Sequence, residues 1–402
     1  MSRRLEGQEW LTAPATRAVM EALAVAGGPD CARFVGGCVR NALIGAPIDD
    51  VDIATVLRPE AVVEALKAAG LRSVPTGIEH GTVTAISDRE PFEITTLRRD
   101  VSTDGRRATV AFTDDWAEDA GRRDFRLNAL YADAQGVILD PTGRGYDDAL
   151  AGRIVFVGEA EQRIREDYLR ILRFYRFHAW YGRGAPDAEA VAACAALAEG
   201  VGRLSAERVS KELLKLLAAP DPRPAVRLMD QAGVLAQTIP QPESLFLFEV
   251  MVERSADPVL RLSALLPDDP TAVNEAARAL RLSNAQRDRL VAATTTKAKT
   301  DMSDREARAA LYRDGVQAFS DRVMRAWAAG GDPAEGQRLL ALAEGWERPA
   351  LPVGGRDLAR LGVKPGPETG RLLKAFEEGW IADDFPTDGH EARLRALAAP
   401  HG

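Results

Sequence analysis

At about Glu159 the chain changes character, and that change constrains the fold more than any other feature. Before it, β-branched runs alternate with amphipathic segments. After it, Ala, Leu and Arg dominate, and breaks such as GRGAPD, PDPRP, PQPE, PDDP and GDPAEG divide the chain into short helices. A mixed α and β region over 29–157, followed by an all-α region, is therefore predicted: an α+β protein. In the first region ARFV, VDIATV, GTVTAIS and FEITTL read as strands. Residues 9–27, CVRNALIG and AVVEALKAAG read as helices, the last two closed by Gly45 and Gly70. Residues 137–157 read as turns and short strands.

A length of 402 residues implies two to four domains. No apolar run is long enough to span a membrane, and MSRRLEGQEW has no apolar core of a signal peptide. Cys31, Cys38 and Cys194 form no CxxC pair, which points to a reducing compartment; a cytoplasmic location is expected. The net charge of −8 argues against a polyanionic partner, but a polyanion meets only the local patch. Between Arg163 and Arg183, six arginines face two acids.

Asp50 and Asp52 stand two apart at the start of a predicted strand, so their carboxylates share a face. Two like charges held together call for a cation, and Mg²⁺ takes one or two carboxylates plus substrate phosphates. Glu93, on a later strand, is the candidate third acid. An acidic solvated turn would look the same in isolation. Ahead of the pair, Gly36 and Gly37 let the backbone approach a phosphate, and a helix N-terminus carrying Arg40 follows. The glycines match neither GxGxxG nor GxxxxGK[ST].

RRDFRLNAL, 122–130, concentrates directional hydrogen-bonding groups. Arg122 and Arg123 can reach phosphate. On a helix, Asp124 and Asn128 share a face and suit ribose hydroxyls; a capped helix start is the alternative. Asp167, Arg170, Arg173 and Arg176 then recur every three residues, predicting a stripe along one helix. Asp accepts and Arg donates, whereas cytosine and adenine each present an amino donor beside a ring-nitrogen acceptor. Uracil and guanine present a carbonyl beside an N–H. Asp167 with Arg170 could therefore select C and A without a template.

In order, GGCVR, DVD, RRDFRLNA and EDYLRILRFYRF resemble the class II nucleotidyltransferases, a family that contains the CCA-adding tRNA nucleotidyltransferases and the bacterial poly(A) polymerases. The resemblance is close from Phe34 to Pro220, and GGRDLARLGVKPGPETGRLLK resembles a C-terminal segment of many CCA-adding members more loosely. It implies a polymerase-β-type head with a small mixed sheet, then an all-α neck, body and tail. The expected boundaries are an N-terminal helix over 1–28, head 29–157, neck 158–220, body 221–330 and tail 331–402. It implies two Mg²⁺ on Asp50 and Asp52, and phosphate and sugar contacts from Gly37, Arg40 and Arg123. Asp124 and Asn128 would face the ribose, and Asp167 and Arg170 the base, with Arg173 and Arg176 nearby. Glu207 and Arg208 would support the neck helix.

The partners it implies are tRNA, CTP and ATP, with addition of C, C and A to the tRNA 3′ end. A poly(A) polymerase is the alternative, less favoured because the C-terminus is not strongly basic. A CC- or A-adding enzyme and a non-catalytic RNA-binding relative are further options; both acids of the pair are intact, which counts against the last. Three residues depart from the family pattern. Asn41 stands where Asp is usual, Asp49 where Lys is frequent, and Arg126 where Thr is usual. Asn41 leaves open how Arg40 is held.

Overall fold

The computed structural model describes residues 3–78, 81–104, 107–240, 242–295 and 300–399. The chain divides into two compact units, Met1–Gln241 and Pro242–Gly402.

In the first unit the strands are β1 (Ala32–Val35), β2 (Asp52–Thr55), β3 (Arg72–Gly77), β4 (Thr82–Ser87), β5 (Glu90–Thr96), β6 (Arg98–Asp104), β7 (Arg107–Phe112), β8 (Tyr131–Ala132) and β9 (Ile138–Leu139). Among the described residues, seven of them form one sheet in the order β3-β4-β5-β2-β1-β8-β9, and β6 and β7 pair as a separate ribbon. The β2–β5 pairing is parallel and sets Asp52 opposite Glu93. The intervening Pro59–Ala68 helix and the β3–β4–β5 meander bring the chain back in the same direction. Phe34, Ile53, Val83 and Ile94 are fully buried along the central strands. The Pro14–Gly27 and Pro59–Ala68 helices pack on the sheet through Val19, Leu23, Val62 and Leu66, whose helical spacing puts them on inward faces.

Four strands escaped the sequence pattern, among them the two-residue β8. β3 carries Pro75 and lies at the sheet edge, where a missing N–H costs no ladder bond. β6 (RRDVSTD) is polar and shows no clean alternation, whereas β7 (RATVAF) is a short alternating run that sequence reasoning passed over. The helix expected over 9–27 is two, Glu9–Thr12 and Pro14–Gly27, because Ala13 precedes proline and leaves the helical region. The stretch 137–157, expected to hold turns and strands only, contains the Gly145–Ala151 helix. That helix packs so closely on residues 126–128 that a Cβ at Gly145 would lie 2.4 Å from the Arg126 carbonyl oxygen.

The helical part of this unit comprises Ala160–Glu166, Leu169–Tyr181, Ala188–Ala196, Ala206–Leu217 and Arg223–Gln231. Phe125 ties it to the sheet region. Its ring meets Phe156, Phe174 and Phe177 with centroids 4.9, 6.4 and 5.2 Å away. The apolar residue inside RRDF thus anchors the turn that carries its charged neighbours.

In the second unit the described elements are all helical, from Phe246–Arg254 to His390–Ala398. One core gathers Tyr312, Leu372, Phe376, Trp380 and Ile381; another gathers Leu311, Phe319, Val323 and Leu339. The PGPETG turn contains Gly366, which precedes the Pro367–Ala382 helix, and the Thr369 hydroxyl donates to the Lys364 carbonyl at 3.2 Å. No helix among the described residues is long and apolar enough to cross a membrane.

Candidate active site

The acid pair lies at the N-terminal end of β2. The strand begins at Asp52, so Asp50 sits on the approach to it rather than within it, a correction to the expected strand start. Asp52 is mostly buried. Burial, then the charges of Glu93 and Asp50, push its carboxyl up to about 6, with Arg123 opposing. The sequence-separated Glu93 is therefore a true neighbour of Asp52, brought there by the parallel register.

Among the described residues, no three His, Cys, Asp or Glu side chains close into a metal cage. An oxygen-only donor set of this kind still fits a hard divalent ion that takes its remaining ligands from substrate phosphates. The raised carboxyl supports the fit, because the crowded charge it reports is what a cation would relieve.

The raised value also fixes the sign of a stability effect. Asp52 binds protons more tightly in the folded chain than in the unfolded one. Its contribution to stability is complete below about pH 4 and lost as pH rises through about 6. In EDTA, Asp52→Asn should raise the stability of the protein by about 1–3 kcal/mol at pH 8, and by nothing measurable at pH 4. Equal urea midpoints for the two proteins at pH 8 would contradict this.

The Gly36–Gly37 turn leads from β1 into the Gly37–Ile44 helix. Gly36 has φ of +72°, which only glycine adopts without strain, and a Cβ there would lie 3.7 Å from both Arg123 Nη1 and the Asn128 carbonyl oxygen. Arg40, in the first turn of that helix, is buried. Its Nε and Nη2 donate to Asn41 Oδ1 at 3.1 and 2.8 Å, its Nη1 to Asn128 Oδ1 at 2.5 Å, and its Nη2 also to the Tyr181 hydroxyl at 2.9 Å. The ring of Tyr181 lies 4.1 Å from the guanidinium. Asn41 thus holds Arg40 through a neutral amide, leaving the positive charge without the local anion that Asp would supply.

Asp124 and Asn128 do approach each other, though not on an α-helix as expected. Residues Arg126–Asn128 form a 3₁₀ turn, and Asn128 Nδ2 donates to Asp124 Oδ1 at 3.0 Å. The same oxygen accepts the Phe125 backbone N–H, and Oδ2 accepts Arg173 Nε at 2.7 Å and Nη2 at 2.5 Å. Burial alone would raise this carboxyl, but Arg173 and the Asn128 amide outweigh it and hold it at about 2. Four donors occupy the carboxylate, so a ribose hydroxyl would have to displace one. Arg126 pairs with Asp148 at 3.8 Å, tying the turn to the Gly145–Ala151 helix.

The arginine stripe is broken at its start. The chain leaves helical geometry at Asp167 (φ −154°, ψ 106°), between the Ala160–Glu166 and Leu169–Tyr181 helices. The break is a correction to the single helix expected from the spacing. Asp167 Oδ1 accepts the Leu169 backbone N–H at 3.1 Å, which starts the second helix, and Oδ2 accepts Arg208 Nη2 at 2.6 Å. Arg170 turns to Glu166 (2.6 Å), the Arg163 carbonyl (2.8 Å) and the Arg122 carbonyl (2.9 Å). Arg176 meets Glu212 at 2.5 Å. The stripe is thus largely paired inside the protein rather than a bare basic face. Asp167 keeps 26% of its side chain exposed and Arg170 13%.

Sequence reasoning passed over Asp119, Tyr131, Tyr181 and Glu212. Asp119 had a signal: it stands three and four residues before Arg122 and Arg123. The others are joined to the site only by the fold.

Arginines and glycines beside paired carboxylates at the N-terminal end of β2 in a mixed sheet are the groups a nucleotidyltransferase needs. Comparison with known families agrees. A model described as "Poly A polymerase head domain" matches residues 32–155, and one described as "Probable RNA and SrmB- binding site of polymerase A" matches 185–246. The CCA tRNA nucleotidyltransferase 1, mitochondrial, of Homo sapiens is 34% identical over 89% of this chain and 85% of its own length. The CCA-adding enzyme of Geobacillus stearothermophilus is 40% identical over 51% of this chain and 50% of its own. The crystal structure of the Bacillus stearothermophilus CCA-adding enzyme in complex with CTP superposes with a TM-score of 0.77 and 27% identity, covering 96% of this chain and 98% of that one. The chain belongs to the class II nucleotidyltransferase family, alongside the CCA-adding enzymes. That family generally uses a divalent metal.

Proposed function

We propose that this protein adds C, C and A to the 3′ end of tRNA from CTP and ATP, without a template. The tRNA 3′ oxygen bonds to the α-phosphorus, the bond from that phosphorus to the bridging oxygen of the β-phosphate breaks, and pyrophosphate leaves. The observation that carries this reading is the parallel register that sets Glu93 beside Asp52 within reach of Arg123.

Asp50 and Asp52 would hold Mg²⁺, with Glu93 as the third acid beside them. Bound there, Mg²⁺ supplies activation of the attacking hydroxyl and neutralisation of the leaving pyrophosphate. The Gly36–Gly37 turn lets the backbone approach the polyphosphate, and Arg40, Arg122 and Arg123 place positive charge around it. Asn128 and Asp124 form the ribose side of the pocket. Asp167, the more exposed of the base-reading pair, accepts the amino group of cytosine or adenine, while Arg170 supplies the donor for the ring nitrogen. Arg173 and Arg176 hold that helix to Asp124 and Glu212 and add positive charge nearby. The helical regions would hold tRNA through its phosphates, so affinity should fall steeply with salt. The three free, buried cysteines fit a reducing compartment, in this reading the cytoplasm.

The direct test supplies tRNA lacking its 3′ end with each nucleotide separately and together. Addition that stops after C, C and A is expected. A long A tail on varied RNAs would make the protein a poly(A) polymerase, and no incorporation with Mg²⁺ present would refute transfer altogether. Asp167→Ala should let U and G compete with C and A, read as incorporation ratios under paired-nucleotide competition. Unchanged ratios would remove Asp167 from base selection.

A further inference from the structure

Asp119 is almost wholly buried, at 1% exposure, on the short Trp116–Gly121 helix. Its Oδ1 accepts Arg122 Nε at 2.8 Å, Arg122 Nη2 at 2.7 Å and the Arg98 backbone N–H at 3.3 Å. Its Oδ2 accepts Arg123 Nη2 at 2.9 Å, Arg123 Nε at 3.2 Å and the Tyr131 hydroxyl at 2.7 Å. Tyr131 in turn accepts from Arg123 Nε at 3.2 Å, and its ring is braced edge-on by Trp116 at 5.2 Å.

Two features separate this cluster from an ordinary buried ion pair. The first is direction. Asp119 and Tyr131 take Nε and Nη2 of Arg123, the inner edge of the guanidinium. The remaining terminal nitrogen, Nη1, lies at the Gly36 turn, 3.7 Å from where a Cβ there would stand. The guanidinium therefore presents its outer nitrogen at the place where the backbone is free of side chain. The second is charge. One buried carboxylate serves two guanidiniums, so the cluster keeps a net positive charge. A core built for stability alone would gain as much or more from apolar side chains of the same volume.

Resting on the nucleotidyl-transfer reading above, we propose that Asp119 is the positioning residue of the polyphosphate site. It holds Arg122 and Arg123 in a fixed orientation, with Arg123 at the Gly36 turn, so that the phosphates of the incoming nucleotide and the departing pyrophosphate meet guanidiniums already ordered. Ordering a free arginine on binding would cost side-chain entropy that Asp119 and Tyr131 remove in advance.

The test compares the unmodified enzyme, Asp119→Asn and Tyr131→Phe. Asp119→Asn keeps the shape but loses the charge; Tyr131→Phe removes the two hydrogen bonds of the hydroxyl and leaves no buried charge unpaired. Pyrophosphate binding with Mg²⁺ is measured by calorimetry, KM and kcat for CTP and ATP by incorporation, and tRNA affinity by filter binding. Asp119→Asn should weaken pyrophosphate about tenfold and raise both KM values by a similar factor, with a smaller change in kcat and unchanged tRNA affinity. Tyr131→Phe should shift the same quantities in the same direction by less. Unchanged pyrophosphate affinity in a folded Asp119→Asn protein would overturn the proposal. So would a fall in kcat with KM unmoved. If Asp119→Asn does not fold, unchanged pyrophosphate affinity in Tyr131→Phe has the same force. Failure of the underlying reading shows differently, as no incorporation by the unmodified enzyme; pyrophosphate affinity is measured independently of turnover.

Discussion

Asp52→Ala is expected to lower incorporation of C and of A by about 10³-fold or more while leaving tRNA affinity within about twofold. The first part follows from electrostatics. Asp52 sits with Glu93 in register and Asp50 two residues away, and the three carboxylates concentrate negative charge where a cation must sit. Losing one of two metal carboxylates removes several kcal/mol of charge stabilisation from the transition state, and each 1.36 kcal/mol is tenfold in rate. The second part follows from location. Asp52 is an anion on the sheet, and removing it takes away nothing that attracts a phosphate backbone. Single-turnover incorporation beside a filter-binding titration gives both numbers. Incorporation within tenfold of the unmodified enzyme would remove Asp52 from the metal site.

The second large effect concerns stability. Asp124→Ala should destabilise the first unit by about 2–4 kcal/mol in urea unfolding. The carboxylate accepts from Phe125, Asn128 and Arg173 together, joining the RRDF turn to the Leu169–Tyr181 helix. Its removal leaves Arg173 facing Glu212 and Asp167 at longer range, and leaves Asn128 without the acceptor that orients its amide toward Arg40. Asp124→Asn should cost less, because an amide oxygen still accepts from Arg173. A loss below about 1 kcal/mol for the alanine variant would mean that the aromatic contacts of Phe125, not this network, hold the turn to the helix.

Much of the site is legible in the amino-acid order. The i, i+2 acids, the double glycine, RRDF with its Asn, and the arginines at steps of three all lie within short segments, and their chemistry depends on spacing a few residues long. Glu93 is reachable as well: alternation in FEITTL marks a strand, and a strand is where a third acid would be presented. The misreadings share one cause. The break at Asp167, the 3₁₀ turn at Arg126–Asn128 and the pairing of Arg170 with Glu166 depend on which partner a polar group finds. Spacing alone cannot choose between a helix and a turn whose side chains satisfy its backbone.

By itself, then, the sequence determined the α+β composition, the strand that carries Asp52 and the kinds of groups that a nucleotide would meet, because periodicity and residue chemistry are local properties. Tertiary structure alone decided that β5 returns parallel to β2 to place Glu93, that Asn128 and Tyr181 reach Arg40, and that Tyr131 joins Asp119 around Arg123. Those contacts join residues that chain closure and core packing bring together, and a buried charge takes the partners that the fold leaves within reach of it.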